Sequence, residues 1–261
     1  MLQQIRLFLT AIQYFTRIPV PVWVGHSAQQ LDQSARYFPL VGMGVGAIAA
    51  AVLCVSAWIL PLTLAVVLSM ITSILITGAF HEDGLSDYAD GMGGGYAREK
   101  ILAIMKDSHV GAYGVIAIVL ALLIKFQILL LLSNKHSLVF VAAALISAHG
   151  ISRLMAVSIM LTQQYVRVDD TARAKPVAQG LSRISFAIAG VTGLAAIALL
   201  IMAGASYMNI VIALACSLIM RIYLGQQMLK KLGGYTGDCL GAVQQLSEIA
   251  FYLGLLAALP Q

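Results

Sequence analysis

The chain has 261 residues, 60% hydrophobic and only 10% charged, with a mean hydropathy of +0.90. That is far more apolar surface than a soluble core of this size needs, which excludes a water-soluble domain and predicts a single all-α integral membrane domain with several spans. The net charge of +5 and pI near 9.2 do not imply nucleic acid: no basic run carries interleaved aromatics, and membrane proteins collect Lys and Arg on their cytoplasmic side. Cys54, Cys216 and Cys239 lack the paired spacing of a disulfide or zinc site.

Residues 1–18 set Leu2, Ile5, Phe8, Leu9, Ile12 and Phe15 at helical spacing with Gln3, Gln4, Arg6, Gln13 and Arg17 between them, the pattern of an amphipathic helix in the membrane interface. A cleaved signal is not expected, because Pro19, Pro21 and Trp23 follow without a small-residue cleavage site. A polar, proline-broken connection over residues 19–38 leads to a first span at 40–60. Gly42, Gly44 and Gly46 at its start invite close helix packing. Further spans are expected at 61–80, 111–132, 138–161, 185–202 and, after a turn at 204–209, from there to about 224. A last apolar helix at 246–259 is shorter than the roughly twenty residues a crossing needs, unless it extends backwards.

Threaded alternately, these six to seven spans put the amphipathic start and three polar segments, 81–110, 162–184 and 225–245, on one side. That side holds twelve of the sixteen Lys and Arg residues, and all eleven Asp and Glu residues if Glu248 belongs to the start of the last helix. By the positive-inside rule it is cytoplasmic. A transporter is expected to place ionisable groups near the bilayer midplane, so chemistry gathered on one face favours an enzyme fed from the cytosol.

Three constellations lie on that face. In HEDGLSDYADG, Asp83, Asp87 and Asp90 are spaced i, i+4, i+7 and share one helical arc; such stacked carboxylates predict a site for magnesium or manganese. Gly84 and Gly91 follow two of these acids and would let a phosphate approach the backbone. In the second, Lys106 can offset phosphate charge, Asp107 can orient it, and Ser108 and His109 precede the next span. The third, GGYTGDCLGA, reads as a backbone cradle or turn around Thr236, Gly237 and Asp238, with a plain helix cap as the other reading. Arg153, a cation inside a span, can clamp a phosphate near the cytoplasmic end, and Arg173 and Lys175 are further phosphate contacts.

Spacing alone leads to a metal-dependent membrane enzyme acting on a phosphorylated substrate. The three runs in this order, together with FTRIPVP and YFPLVG near the start, resemble the cobalamin synthase family over nearly the whole chain. The resemblance implies a magnesium-dependent transferase of the bacterial inner membrane. It joins alpha-ribazole, or its 5'-phosphate, to adenosylcobinamide-GDP with release of GMP, the last step of cobalamin nucleotide-loop assembly. It carries over to His81, Asp83, Gly84, Asp87 and Asp90, to Lys106, Asp107 and Ser108, and to Gly234, Thr236, Gly237 and Asp238. Two positions depart from the pattern: His109 stands where Arg is usual, and Glu82 where an apolar residue is common. His81 and Asp107 are both candidates for accepting the hydroxyl proton. The expected partners are the two substrates and the lipid bilayer, with self-association or contact with other cobalamin-assembly enzymes left open. The rival readings are a membrane CDP-alcohol-type phosphotransferase, whose single longer motif is not found here, and a cation-coupled transporter.

Overall fold

The computed structural model describes residues 2–166 and 181–257. These are helical throughout, apart from short connections and one isolated bridge between Tyr165 and Tyr235. The amphipathic start is α1 (Leu2–Phe15): Leu7, Ala11 and Phe15 pack inward while Leu2 and Ile5 stay exposed. In the link that follows, Trp23 takes a hydrogen bond from Arg6 on its carbonyl (2.8 Å) and carries the same guanidinium over its ring. Next comes α2 (Ala28–Ser34), started by Ser27, whose side chain accepts from the Gln30 N–H.

After a single 3-10 turn, α3 (Phe38–Ser56) runs into a hairpin at Pro61 and returns as α4 (Leu62–Thr77). The chain then bends by 86° into α5 (Phe80–Gly94), which carries the acidic run. Two consecutive left-handed residues make the bend, Gly78 (φ 66°) and Ala79 (φ 59°). For alanine this conformation costs about 1–2 kcal/mol. Arg17 straps the corner: its N–H donates to the Ile76 carbonyl (2.7 Å), and its side chain lies where any Cβ on Gly78 would stand. The short α6 (Arg98–Lys106) follows, with Ile101 and Met105 buried beneath it against Gly91.

Beyond it α7 (Ala112–Lys135), α8 (Leu138–Thr162), α9 (Arg183–Met202), α10 (Tyr207–Leu232) and α11 (Gly237–Ala257) are each long and apolar enough to cross a membrane. So is the continuous stretch Ala28–Ser56, and α4 with α5 makes a seventh if counted together. The protein is therefore a multi-pass helical bundle. Val115, Val119 and Leu123 on α7, and Val211, Leu218 and Ile222 on α10, are exposed as lipid-facing residues must be, whereas α8 and α11 form the centre. Close packing of α3 on α8 uses Gly42 and Gly46. A Cβ on the first would strike the His149 carbonyl and the Arg153 side chain, and on the second the Leu145–Ile146 backbone; Gly44 faces open space.

The end of the chain differs from the sequence reading. The predicted polar segment 225–245 is mostly helix: α10 continues to Leu232, α11 begins at Gly237, and residues 233–236 alone connect them. Gln244 and Gln245 belonged to that polar segment, but they point into the bundle, where each is buried. Glu248 consequently lies about 16 Å along α11 at 1.5 Å per residue, wholly buried rather than at the polar rim.

Candidate active site

Two helix starts meet at the charged face. The second turn of α5 lies on the first turn of α11 through a pair of glycines: a Cβ on Gly84 would come within 3.1 Å of the Asp238 carbonyl, and one on Gly241 within 3.1 Å of the Gly84 Cα. Any side chain at either position would push the helices apart, so this contact sets the turn of α5 that carries Asp83 and Asp87 against the backbone of Asp238. The cradle itself is a helix cap joined to a backbone bridge. Thr236, fully buried, accepts from the Cys239 N–H (3.3 Å) to start α11, and the Val166 N–H donates to Tyr235 while Tyr235 N–H donates to Gln164, each at 3.0 Å. Gly234 has no room for a Cβ against the Gln164 carbonyl, and Gly233 (φ 76°) closes α10. Burial first, then Tyr165 and Asp238 nearby, push the Tyr14 phenol above its ordinary pKa, so the end of α1 belongs to the same neighbourhood.

The three aligned aspartates part company. Asp83 is exposed and Asp87 half-buried, but Asp90 is buried and serves as a cap. Its two carboxylate oxygens accept from the Gly111 N–H (2.7 Å) and the Gly114 N–H (2.9 Å), holding down the start of α7. No three His, Cys, Asp or Glu side chains among the described residues converge as a ready metal cluster. Magnesium does not require one, since it is commonly held by one or two carboxylates and completes its shell with water and substrate phosphates. The Asp83 and Asp87 carboxylates, hard oxygen donors one helical turn apart, fit such a site; Asp90 fits a structural one. Gly84 and Gly91 are closed to a phosphate, the first by α11 and the second by Met105 and Ile101.

The Lys106 motif stands at the opposite end of α5. Lys106, Asp107, Ser108 and His109 are all exposed, and Asp107 is tied to His109 by its backbone N–H (3.0 Å) and by Nδ1 (2.7 Å). Those bonds hold the Asp107 carboxyl below its ordinary pKa, which makes it a poor proton acceptor. Arg153 and His81 are buried, at the inner side of the α5–α11 crossing. Arg173 and Lys175 lie outside the described residues.

Residues 7–256 match the family model described as cobalamin-5-phosphate synthase. The chain belongs to that family. It is 44% identical over 256 residues to the adenosylcobinamide-GDP ribazoletransferase of Shewanella frigidimarina, covering 98% of this chain and 96% of that one. It is likewise 44% identical over 256 residues to the protein so named from Vibrio cholerae (98% and 95%), and 45% identical over 259 residues to that of Shewanella piezotolerans (97% and 96%). No solved structure matches.

In this member of the cobalamin-5-phosphate synthase family the least expected feature is a polar knot at mid-bundle. Glu248 receives Lys125 Nζ at 2.6 Å and Gln244 Nε2 at 2.7 Å, with the Tyr252 hydroxyl at 3.4 Å and His149 Nε2 at 3.5 Å. Gln244 also donates to Ser152 (3.1 Å), and Gln245 to Glu82 (2.9 Å). Arg153 Nη1 donates to the His149 carbonyl (2.9 Å). Lys125, His149 and Glu248 had drawn no role from the sequence. The signal was there, since an ionisable residue inside an apolar run needs a partner, but the partners lie on different helices and nothing in the spacing pairs them. The knot also supplies the mid-bundle charges whose apparent lack had counted against a transporter, so the enzyme reading rests on the family and the rim.

Proposed function

We propose that the chain is an adenosylcobinamide-GDP ribazoletransferase acting with magnesium at the cytoplasmic face of the bacterial inner membrane. It joins alpha-ribazole or its 5'-phosphate to adenosylcobinamide-GDP and releases GMP. The observation that carries this is the near end-to-end match to relatives of that name. The packing of Gly84, which stands between Asp83 and Asp87 on α5, against the backbone of Asp238 agrees with it.

Transfer of this kind needs neutralised phosphate oxygens and an aligned nucleophile more than covalent help from the protein. Magnesium held by Asp83 and Asp87 would supply Lewis-acid stabilisation of the diphosphate and of departing GMP. The starts of α5 and α11 add the positive ends of two helix dipoles. Arg153 beneath the crossing supplies positive charge for the phosphates, and Lys106 supplies it from the far end of α5. A ribose hydroxyl of the acceptor attacks the phosphorus nearest the cobinamide, the bond from that phosphorus to the GMP oxygen breaks, and the hydroxyl proton passes to a base. Of the two candidates we take His81, which lies at the crossing, over Asp107, which is tied to His109 at the far end of α5.

The test is GMP release from adenosylcobinamide-GDP and alpha-ribazole by the purified protein in vesicles, with magnesium and after chelation. Release that requires the metal is expected. A folded protein that releases no GMP under any divalent cation overturns the proposal.

A further inference from the structure

Glu248 is the hub of the buried knot, and one arm of the knot leads back to the crossing. The Glu248 carboxylate is held from several sides, by Lys125 Nζ (2.6 Å) from α7, by Gln244 Nε2 (2.7 Å) one turn earlier on α11, and by the Tyr252 hydroxyl (3.4 Å). The Gln244 amide is fixed in turn, since its nitrogen also donates to Ser152 (3.1 Å) and its oxygen accepts from Gln245 (2.9 Å). On α8, His149 Nε2 faces the same carboxylate at 3.5 Å, longer than an ordinary hydrogen bond, and no other acceptor reaches that nitrogen among the described residues. Across the ring, His149 Nδ1 lies 3.2 Å from Arg153 Nη1. A guanidinium can only donate, so Nδ1 must accept and the ring proton must sit on Nε2, pointing to Glu248. The carboxylate thereby favours the tautomer that turns a lone pair to Arg153.

Arg153 itself lacks a counter-ion. Nη1 also donates to the His149 carbonyl (2.9 Å), but Arg153 makes no ion pair among the described residues, and its Nη2 has no hydrogen-bond partner there. Its stem is walled by α3, because a Cβ on Gly42 would overlap Arg153 Cδ and stand 3.0 Å from Nε. Packing thus sets the stem, and His149 sets the head. Buried cations are normally paired, so a guanidinium buried without a counter-ion has its balancing charge still to come. With His81 and Gln244, Arg153 lines both the narrow cleft under the crossing and the enclosed space that reaches Lys125 and His149. An anion bound at the crossing would supply that charge. A purely structural pair needs only Lys125 and Glu248; the link through His149 adds direction.

We propose that Glu248 is a positioning residue for the transfer: through His149 it fixes the Arg153 guanidinium under the crossing, where that charge faces the diphosphate of the donor. The proposal rests on the transferase reading, but donor binding tests it without turnover. Full-length protein in vesicles is titrated with radiolabelled adenosylcobinamide-GDP, and GMP release gives kcat and the KM of each substrate. Two variants free of the buried charge pair are compared. Lys125→Met with Glu248→Gln keeps an oxygen for the His149 Nε2–H, and Lys125→Met with Glu248→Leu does not. The leucine variant is expected to bind the donor about fivefold or more weakly than the glutamine one, the scale of one lost hydrogen bond. It should also release GMP more slowly per folded molecule, with the alpha-ribazole KM within about twofold. On an Arg153→Gln background the difference should vanish, because a positioning effect needs the group it positions. His149→Leu, with Lys125 and Glu248 intact, covers the case in which the double leucine variant fails to insert. Donor affinity should fall there by a similar factor, and His149→Gln, whose amide can face both neighbours, should restore part of it. Equal donor affinity in the two double variants, or wild-type affinity in His149→Leu, overturns the proposal. So does a difference that persists without Arg153, or a loss shared equally by donor and acceptor. Metal-dependent GMP release with no such difference would sink the positioning role and leave the transferase standing. A difference in donor binding without GMP release would do the reverse.

Discussion

The rim at the α5–α11 crossing and the knot around Glu248 share one helix yet differ in how they are encoded. The rim comes from contiguous runs, with Asp83, Asp87 and Gly84 in one and Thr236 to Gly241 in the other, and its acids reach the surface. The knot comes from isolated residues on separate helices, Lys125 on α7, His149 on α8 and Glu248 on α11, all buried. A surface site needs several groups close along the chain to gather charge against water. A buried one needs only one group per helix, because low polarity strengthens each pairing and penalises each orphan.

That contrast can be broken experimentally, and the largest effect belongs to the rim. Asp87→Asn should lower GMP release by about a thousandfold or more while leaving thermal stability near wild type, if Asp87 holds the metal as proposed and so serves catalysis rather than packing. Near-normal turnover would remove Asp87 from the site. In the knot the order reverses. Glu248→Ala leaves Lys125 buried and unpaired and should cost about 3–5 kcal/mol of stability, read as loss of folded protein in a detergent melt. The double change Lys125→Met with Glu248→Leu should recover most of it; failure to recover would mean the network matters beyond its charge balance.

Smaller effects separate Asp90 from its neighbours. Asp90→Ala removes both caps of α7 and should cost about 1–2 kcal/mol, with Asn restoring part. Turnover per folded molecule should change little, and a loss as deep as that of Asp87→Asn would return Asp90 to the metal site. Least of all, Asp107→Asn should leave activity within about twofold. Because its folded pKa is depressed, the Asp107 carboxylate with His109 contributes above its unfolded pKa and is lost only as pH falls through the lower folded value. The Asp107 carboxylate therefore stays ionised between pH 7 and 6, and Asp107→Asn should leave the shape of the pH–activity profile there unchanged; a shifted profile would place Asp107 in the chemistry.

Much of the fold was legible because its signals are local. Long apolar runs gave the spans, an amphipathic pattern gave α1, and Gly42 and Gly46 announced a tight helix pair. The acidic run was correctly set on a helix, but the work each aspartate does was not readable, since Asp90 is claimed by backbone amides of a helix start that follows later in the chain. Spacing on one helix says which side chains align, not which face meets a partner. The end of α10 and the beginning of α11 were missed because polar residues inside a bundle look like a loop until their partners are known. The corner at Gly78 and Ala79 was hidden for a different reason: alanine gives no hint of a left-handed backbone, and a strap from Arg17 holds it there.

The Lys125–Glu248 bridge also bears on how the protein is made. The seventh helix is threaded into the bilayer well before the final one leaves the ribosome, so its ammonium must wait for a counter-ion that arrives last. The C-terminal helix thus acts as a keystone: a chain cut short of it keeps a lone positive charge in hydrocarbon, and an incomplete copy betrays itself by electrostatics alone.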